Sequence, residues 1–241
     1  PLYHIGGIMC TLAALISGGT VICCDKFDTS KYYEDLKKEP RPTWAYAAPS
    51  IYQMLVNNAP EEIEHELRVM RSGAANMPHK LAKELKEKFK TIVLPTYSMT
   101  ECMPIASPTL GYRLEREGSV GRGCGVDVKV WNKYELKESG YGEIVVKGEH
   151  VIDAYEGAEV EKINGYLKTG DLGNIEDGEI TLKGRSKDVI NKGGEIVSPF
   201  EIEEKFMHCN GVKDAVCFVI EDELYMENVG IMIKGEEKYR E

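Results

Sequence analysis

The strongest constraint on the fold is the alternation of strand-like and helix-like segments between residues 43 and 94. Three short apolar runs have the length of buried strands, at residues 43–48, 67–70 and 91–94. Pro49 begins one predicted helix between them, because proline is favoured at the first helical position. Residues 78–89 form a second, since apolar side chains recur there at every fourth position. This order favours an open α/β sheet.

The segment before this alternation is predicted to contain further helices and a strand. An apolar run at residues 12–16 predicts a buried helix, and residues 20–24 predict a short strand. Thr29 or Ser30 is expected to cap the next helix, and Pro40 is expected to end it.

The pattern changes after residue 118. Turn signals such as Asp177-Gly178, typical of a hairpin, separate short strands predicted at residues 126–131, 143–147 and 179–182. We predict a small β-barrel or sandwich here. Ser198-Pro199 then predicts the capped start of a helix that ends at Asn210-Gly211, followed by a strand at residues 215–220. The chain is therefore predicted to hold two domains that meet within residues 184–199.

Composition argues against several classes of function. With 40 acidic and 30 basic residues the formal charge is −10, whereas nucleic-acid binding needs a clustered basic surface. No apolar run approaches the roughly 20 residues of a membrane span. The seven cysteines are an odd number without a Cys-x-x-Cys pair, so we expect a reducing compartment and a cytoplasmic protein.

Common catalytic motifs are missing from the sequence. It contains neither a G-x-x-x-x-G-K-[ST] nor a G-x-G-x-x-G phosphate-binding loop, and no G-x-S-x-G nucleophile motif. The five histidines are scattered and have no cysteine partner at ligand spacing. We therefore do not expect a metal held by nitrogen or sulfur.

The first candidate for chemistry is the segment 96–101, which follows a predicted strand of the α/β sheet. Ligands bind open α/β folds at that edge. Tyr97, Thr100 and Glu101 offer a ring to stack on a base, a hydroxyl for a phosphate oxygen and a carboxylate for Mg²⁺. The alternative is that Tyr97 is a core residue and that Thr100 and Glu101 begin a helix.

Two further candidates are Asp171 and Arg185. Asp171 lies in a glycine-flanked segment and can accept hydrogen bonds from both hydroxyls of a ribose. Its alternative is the aspartate of a simple β-turn. Arg185 opens the charged segment 185–188 as a fixed cation that can face ribose or phosphate.

The order of the motifs closely resembles the adenylate-forming superfamily, which includes acyl-CoA synthetases, beetle luciferases and the adenylation domains of peptide synthetases. Four motifs carry the resemblance: TYSMTE (96–101), GEIVVKG (142–148), YLKTGDLG (166–173) and GRSKDVINKGGEIVSPFEIE (184–203). PLYHIGG (1–7) and RSGAA (71–75) fit the same pattern. The resemblance spans essentially the whole chain. Residues 42–55 and 190–203 look most like the branch that activates oxalate or other short and medium acids.

The resemblance implies roles for the matched residues. Gly73, Ala74 and Ala75 would line the adenine and acyl pocket, with His4 near the acyl group. The nucleotide would be held by Tyr97 stacked on adenine, Thr100 on the α-phosphate, Glu101 through Mg²⁺, and Asp171 on the ribose with Arg185 close by. The cofactors implied are ATP, Mg²⁺ and CoA, and the substrate is a small carboxylic acid.

The resemblance also implies the domain plan. Residues 1–184 would be the C-terminal part of the large domain, with an α/β layer and a small β-barrel. Residues 185–188 would be a hinge centred on Lys187. Residues 189–241 would begin a small mobile α+β domain, whose Lys192, Gly193 and Gly194 would swing in to wall the pantetheine channel.

The implied reaction has two steps, formation of an acyl-adenylate and then of a thioester. The sequence departs from the family in three places. The family's phosphate loop lies upstream of PLYH and its catalytic lysine lies beyond residue 241, so we expect a fragment without full activity. Tyr225-Met226-Glu227 also stands where many members have Tyr-Gly-Glu.

Two alternatives to an acyl-CoA synthetase stay open at this stage. One is an adenylation module that loads a carrier protein, which a carrier domain beyond residue 241 would indicate. The other is a degenerate paralogue that binds adenine nucleotides without catalysis.

Overall fold

The structure, a computed structural model, describes residues 2–24 and 26–235. Its helices are α1 (Ile5–Ile16), α2 (Thr29–Asp35), α3 (Pro49–Asn57), α4 (His79–Phe89) and α5 (Pro199–Met207). Within the described ranges, none of the helices combines the length and apolar character needed to cross a membrane.

The predicted α/β alternation is confirmed. Its three strands are β1 (Trp44–Ala47), β2 (Val69–Ser72) and β3 (Ile92–Pro95), which form a parallel sheet in that order. Helices α3 and α4 make the crossovers, and Pro49 is indeed the first residue of α3. Burial of Tyr52, Leu55, Leu85 and Phe89 packs these helices on one face of the sheet.

The β-rich part follows as a run of short strands. They are β4 (Tyr97–Met99), β5 (Cys102–Ser107), β6 (Ser119–Gly123), β7 (Asp127–Trp131), β8 (Leu136–Lys137), β9 (Gly140–Lys147), β10 (Ala154–Tyr155), β11 (Ala158–Glu159), β12 (Lys162–Ile163), β13 (Tyr166–Glu176) and β14 (Glu179–Arg185). β10 and β11 pair with each other, and the rest form a nine-stranded sheet in the order β4-β5-β6-β14-β13-β9-β7-β8, with β12 on β13. As predicted, Asp177-Gly178 is the hairpin turn between β13 and β14.

Of the two forms that we predicted, a small β-barrel or sandwich, the closed barrel does not form within the described ranges. Closing a barrel requires the first and last strands of the path to pair. In the described ranges, no ladder joins β4 to β8. The core of this nine-stranded sheet is a row of apolar side chains that includes Ile105, Val130, Ile144 and Ile180.

The C-terminal lobe, residues 189–235, has its own sheet. Its strands are β15 (Ile190–Lys192), β16 (Glu195–Val197), β17 (Val212–Asp222) and β18 (Met226–Gly235), in the order β16-β15-β18-β17. The sheet of β14 stops at Arg185 and the new one begins at Ile190. A hinge at residues 185–188 stays a prediction.

Three expectations for the N-terminal segment are wrong. The helix at residues 12–16 exists, but it begins at Ile5 and its apolar side chains are exposed, Ile16 by 85%. Residues 20–24 form no strand, because no neighbouring strand pairs with them. The cap of α2 is Asp28, whose carboxylate accepts from the Lys31 amide at 2.8 Å, so neither Thr29 nor Ser30 has that role.

Two helices also end at residues other than those predicted. Helix α2 ends at Asp35 rather than just before Pro40. Helix α5 ends at Met207, three residues before the predicted stop at Asn210-Gly211. Its start was predicted correctly: Ser198 caps it by accepting from the Glu201 amide at 3.3 Å.

Candidate active site

A cavity of about 760 Å³ lies where the parallel sheet, the nine-stranded sheet and the C-terminal lobe meet. Its volume is within the roughly 300–1,000 Å³ typical of ligand pockets. The segments that follow β2 and β3 form one wall, with Ala74 and Ala75 from the first and Thr96 and Tyr97 from the second. This is the carboxyl edge of the parallel strands, where open α/β folds bind their ligands.

A bulge in β13 supplies the next wall. Lys168 pairs with Val145 and Leu172 pairs with Glu143, so three residues of β13 lie opposite one residue of β9. Gly170 takes a φ of 75° within this bulge. Bulges redirect side chains, and this one places Asp171 at the cavity. Asp171 is therefore a strand residue, and the β-turn alternative is wrong.

Two side chains hold the Asp171 carboxylate. The Tyr97 hydroxyl donates to Oδ2 at 2.6 Å, and the Arg185 Nε lies 3.0 Å from Oδ1. Asp171 and Arg185 are direct cross-strand neighbours on β13 and β14. Each carboxylate oxygen can still accept a further hydrogen bond. The arrangement presents an oriented acceptor to whatever occupies the cavity.

Burial governs the protonation of this pair. It raises the pKa of Asp171, which the hydrogen bond from Tyr97 and the charge of Arg185 oppose. Burial and the neighbouring carboxylate raise the pKa of Tyr97 well above its usual range. Tyr97 therefore stays a hydrogen-bond donor at physiological pH. It is a core residue and a cavity residue at once, with 6% of its surface exposed.

The turn after β2 is tight and strained. Ala74 takes a φ of 68°, a conformation that residues other than glycine seldom adopt outside functional sites. A Cβ at Gly73 would overlap the Tyr46 hydroxyl, so that position requires glycine. Gly73 does not line the cavity, whereas its neighbour Ser72 does, with a buried hydroxyl that has no hydrogen-bond partner in the part of the chain that the structure describes. Ser72 belongs to the RSGAA motif, and that motif is the sequence signal that could have identified Ser72 as a site residue.

Thr100 and Glu101 lie outside the cavity wall. They form the turn of the hairpin between β4 and β5, so the expected alternative of a helix start is wrong. One oxygen of Glu101 accepts from the Tyr155 hydroxyl. Among the described residues no group of three metal-ligating side chains occurs, so Glu101 offers a single carboxylate.

The last residue of β14, Arg185, also reaches the cavity, as do Lys187 and Asp188 in the segment that follows. The Ser186 amide donates to the Gly170 carbonyl at 2.8 Å, and the Asp188 amide donates to the Arg185 carbonyl at 3.1 Å. The first of these bonds ties the segment to the bulge that carries Asp171.

The remaining candidates do not line the cavity. Lys192 lies over the Tyr225 ring, 5.3 Å from its centroid, and the Gly193 amide donates to the Tyr225 carbonyl. Gly194 takes a φ of 98° in the same turn. His4 caps α1, with its Nδ1 accepting from the Gly6 amide at 3.1 Å.

The C-terminal lobe supplies a wall that the sequence did not predict. Phe200 and Glu203 of α5 and Cys217 of β17 line the cavity in place of Lys192 to Gly194. Only the helical pattern of α5 was visible in the sequence, which does not show what a helix packs against.

Polar contacts join the C-terminal lobe to the part of the chain that precedes it. Glu204 accepts from the His79 amide at 3.2 Å, and His208 Nε2 lies 2.9 Å from a Glu117 oxygen. Burial raises the pKa of Glu204 to about 7, and the nearby Glu117 contributes. The hydrogen bond from His208 lowers the pKa of Glu117.

Comparison with known proteins identifies the fold. The chain is 31% identical to an oxalate–CoA ligase of Arabidopsis thaliana over 97% of its length, and 33% identical to a sulfoacetate–CoA ligase of Cupriavidus necator over 95%. The O-succinylbenzoate–coenzyme A synthetase of Bacillus subtilis, in complex with ATP and a magnesium ion, superposes with a TM-score of 0.82 at 27% identity, over 97% of this chain and 50% of that one. The fold is that of the adenylate-forming enzymes.

The family itself follows from a second finding. Residues 1–156 match the AMP-binding enzyme family, and the chain belongs to it. The resemblance predicted from the motifs is confirmed. The chain spans about half the length of the curated relatives that it matches, 48% of the Arabidopsis protein and 47% of the Cupriavidus one.

Proposed function

We propose that this protein activates a small carboxylic acid with ATP and transfers the acyl group to CoA, as a ligase that forms carbon–sulfur bonds. The observation that carries the proposal is the Asp171 carboxylate, oriented at the cavity by Tyr97 and Arg185. Membership of the AMP-binding enzyme family supports a nucleotide as the ligand of this acceptor.

In the first step, an oxygen of the substrate carboxylate attacks the α-phosphorus of ATP and expels pyrophosphate. Asp171 would accept hydrogen bonds from the ribose hydroxyls, and Tyr97 would lie against the adenine. Ala74 and Ala75 leave room for the base and the acyl group. These residues act by positioning, which is the main source of catalysis in phosphoryl chemistry.

Thr100 and Glu101 would serve the phosphate end of the nucleotide. The carboxylate is a hard oxygen ligand, and Mg²⁺ commonly binds one or two carboxylates together with substrate phosphates. A single Glu101 therefore fits the ion, which would neutralise charge on the phosphates. The Tyr155 hydroxyl orients the same carboxylate.

In the second step, the sulfur of a thiol attacks the acyl carbon, AMP leaves and the thiol proton is lost to solvent. We propose that the C-terminal lobe turns at residues 185–188 to bring Lys192, Gly193 and Gly194 to the site. Support comes from their present place beside Tyr225, while Phe200 and Glu203 occupy the wall. Lid movements of this kind commonly complete catalytic sites.

The proposed thiol is CoA rather than a carrier protein, because the relatives are named as CoA ligases. The acids in those names, oxalate, sulfoacetate and O-succinylbenzoate, are small and carry two anionic groups. We propose the cytoplasm as the location, since all seven cysteines are free thiols.

Pyrophosphate exchange by the full-length protein tests the proposal. A panel of carboxylic acids, each incubated with ATP, Mg²⁺ and labelled pyrophosphate, should give acid-dependent label in ATP. Addition of CoA should then give a thioester and AMP in equal amounts. Nucleotide binding without exchange for any acid would contradict the proposed reaction and favour a binding protein.

A further inference from the structure

The turn between β4 and β5, which carries Glu101, is held in place by the segment that follows β9. The Ile152 amide donates to the Glu101 carbonyl at 2.9 Å, and Val151 forms an isolated antiparallel bridge with Cys102. His150 Nε2 lies 2.9 Å from a backbone carbonyl oxygen of β5. These contacts fix the backbone of the turn.

A separate contact holds the side chain of Glu101. The Tyr155 hydroxyl donates to Glu101 Oε1. Tyr155 is the last residue of β10, which forms a two-stranded ribbon with β11. A ribbon of two strands is only marginally stable by itself, so its position depends on its contacts with this turn. The hydroxyl stays a donor at physiological pH, because the usual pKa of tyrosine is about 10.

The charge of the Glu101 carboxylate has no cation beside it. Among the residues that the structure describes, no lysine, arginine or histidine forms an ion pair with it, and Lys162, which follows the ribbon, pairs with Asp153 at 3.2 Å. In the same part of the chain Oε2 accepts no hydrogen bond, whereas Oε1 accepts the one from Tyr155. The carboxylate is therefore oriented through one oxygen, and its other oxygen can bind a cation.

The position of Glu101 relative to the cavity suits its proposed role. Ser98 lines the cavity wall and precedes Glu101 by three residues on the same hairpin. A strand rises by roughly 3.3 Å per residue, so Glu101 lies within about 10 Å of that wall. It is near the cavity but outside it, as a residue that serves the phosphate end of a nucleotide requires.

We propose that Tyr155 is a positioning residue for the Mg²⁺ ion of the nucleotide and that it sets a preference for Mg²⁺ over Ca²⁺. The inference rests on the proposed function, in which Glu101 binds the ion. A group that hydrogen-bonds to a ligating carboxylate orients it toward the metal. With Oε1 engaged by Tyr155, Oε2 is left for a single bond to the ion. Mg²⁺ demands near-ideal octahedral geometry, whereas Ca²⁺ binds carboxylates through one or both oxygens in flexible geometry.

Binding of an ATP analogue by the full-length protein tests the inference without any turnover. Calorimetry gives the affinity for α,β-methylene-ATP, which cannot be cleaved at the α-phosphorus, in EDTA, in Mg²⁺ and in Ca²⁺. The ratio of the affinity with an ion to the affinity in EDTA measures what the ion contributes. Tyr155→Phe should lower this ratio roughly 10- to 100-fold for Mg²⁺, as loss of such a partner commonly does, and less for Ca²⁺. Its affinity in EDTA should equal that of the wild type.

Two further variants separate positioning from a structural role. Tyr134→Phe makes the same change at a tyrosine with 88% of its surface exposed, and it should leave both ratios unchanged. Glu101→Gln removes the charge, and in that background Tyr155→Phe should have no further effect, because Tyr155 acts through Glu101. A purely structural role for Tyr155 would instead lower the affinity in EDTA and add to the effect of Glu101→Gln.

The outcomes distinguish the inference from the proposed function. Loss of the Mg²⁺ contribution in Glu101→Gln but not in Tyr155→Phe, or equal losses for both ions in Tyr155→Phe, would overturn the inference and keep the proposed function. A contribution of Mg²⁺ that Glu101→Gln leaves unchanged would overturn the role of Glu101 and the inference with it. Ion binding that depends on Tyr155, without pyrophosphate exchange for any acid, would keep the inference and overturn the proposed reaction.

Discussion

Tyr97 and Asp171 are 74 residues apart in the chain and share a 2.6 Å hydrogen bond at the wall of the cavity. One follows the last strand of the parallel sheet, and the other lies in the bulge of β13. Tyr97 is also the first residue of β4, and β4 and β13 both belong to the nine-stranded sheet. The bond therefore joins two strands of that sheet at the place where we propose that the nucleotide binds. It orients the carboxylate before any ligand arrives.

Replacing Asp171 by alanine should weaken binding of a non-reactive acyl-adenylate analogue. Loss of hydrogen bonds to a charged acceptor costs about 1.5–3 kcal/mol, or roughly 10- to 150-fold in affinity. Calorimetry with the full-length protein measures the change. Tyr97→Phe is the matched variant, because Arg185 still holds the carboxylate, and it should cost less than about tenfold. An Asp171→Ala protein with unchanged affinity would rule out ribose binding by this residue.

Lys187→Pro should impair one half-reaction far more than the other. Proline fixes φ near −65° and would lock one pose of a hinge. Within the described chain the Lys187 amide donates no hydrogen bond, so proline removes none there. Pyrophosphate exchange reports the first step, and transfer of preformed acyl-adenylate to CoA reports the second. Lys187→Ala, which removes the charged side chain but leaves the backbone as free as in the wild type, is the control. Equal losses in both steps would indicate misfolding instead.

Met226→Gly should stabilise the protein. Met226, the first residue of β18 after the turn from β17, has a φ of 67°, and 81% of its surface is exposed. Glycine adopts this conformation without the steric cost of about 1–2 kcal/mol, part of which its greater unfolded-state entropy cancels. A net gain of about 0.5–1 kcal/mol would raise Tm by roughly 1–4 °C. Met226→Ala keeps the Cβ and should give no gain. A lower Tm for the glycine variant would show that the turn is unstrained.

Docking of the C-terminal lobe should weaken as the pH rises from about 5 to about 7. Burial raises the pKa of Glu204 to about 7, whereas an exposed glutamate titrates near about 4.3. The docked state therefore holds the extra proton within that window, and its stability falls as the proton is lost. Glu117, His208 and His79 face the same contact and also affect its charge.

The difference between wild type and Glu204→Gln isolates the contribution of Glu204. Melting temperatures recorded between pH 5 and pH 8 should show a steeper decline for the wild type than for the variant. Parallel curves would mean that Glu204 titrates normally and that the contact does not depend on its charge.

The elements that the sequence predicted well are those with a local signal. Helix α4 repeats apolar residues every four positions, and β13–β14 has Asp-Gly at its turn, so neither depends on distant partners. The strand predicted at residues 20–24 was wrong for the opposite reason, since a strand exists only when another strand pairs with it. The exposed face of α1 likewise depends on what packs there, which composition cannot show.

The candidate site shows the same difference between features with a local sequence signal and features that depend on distant parts of the chain. Asp171, Arg185 and Tyr97 lie in separate motifs, and the sequence selected them individually. Their mutual contacts come from the β13 bulge and from the approach of β4, β13 and β14 within one sheet. Arg71 lies within a recognised motif but had no assigned role, because only the fold shows that its Nε is buried without a hydrogen-bond partner among the described residues.

Two parts of the chain form the cavity wall. The affinity of the cavity for a ligand therefore depends on how these two parts are placed. Phe200, Glu203 and Cys217 complete the wall only while the C-terminal lobe is docked. The apparent dissociation constant of a ligand that touches both parts is therefore the intrinsic constant divided by the docked fraction. By reciprocity, the ligand raises that fraction by the same factor. A substitution outside the cavity wall, at the Glu117–His208 contact, then changes ligand affinity without altering any atom that the ligand meets.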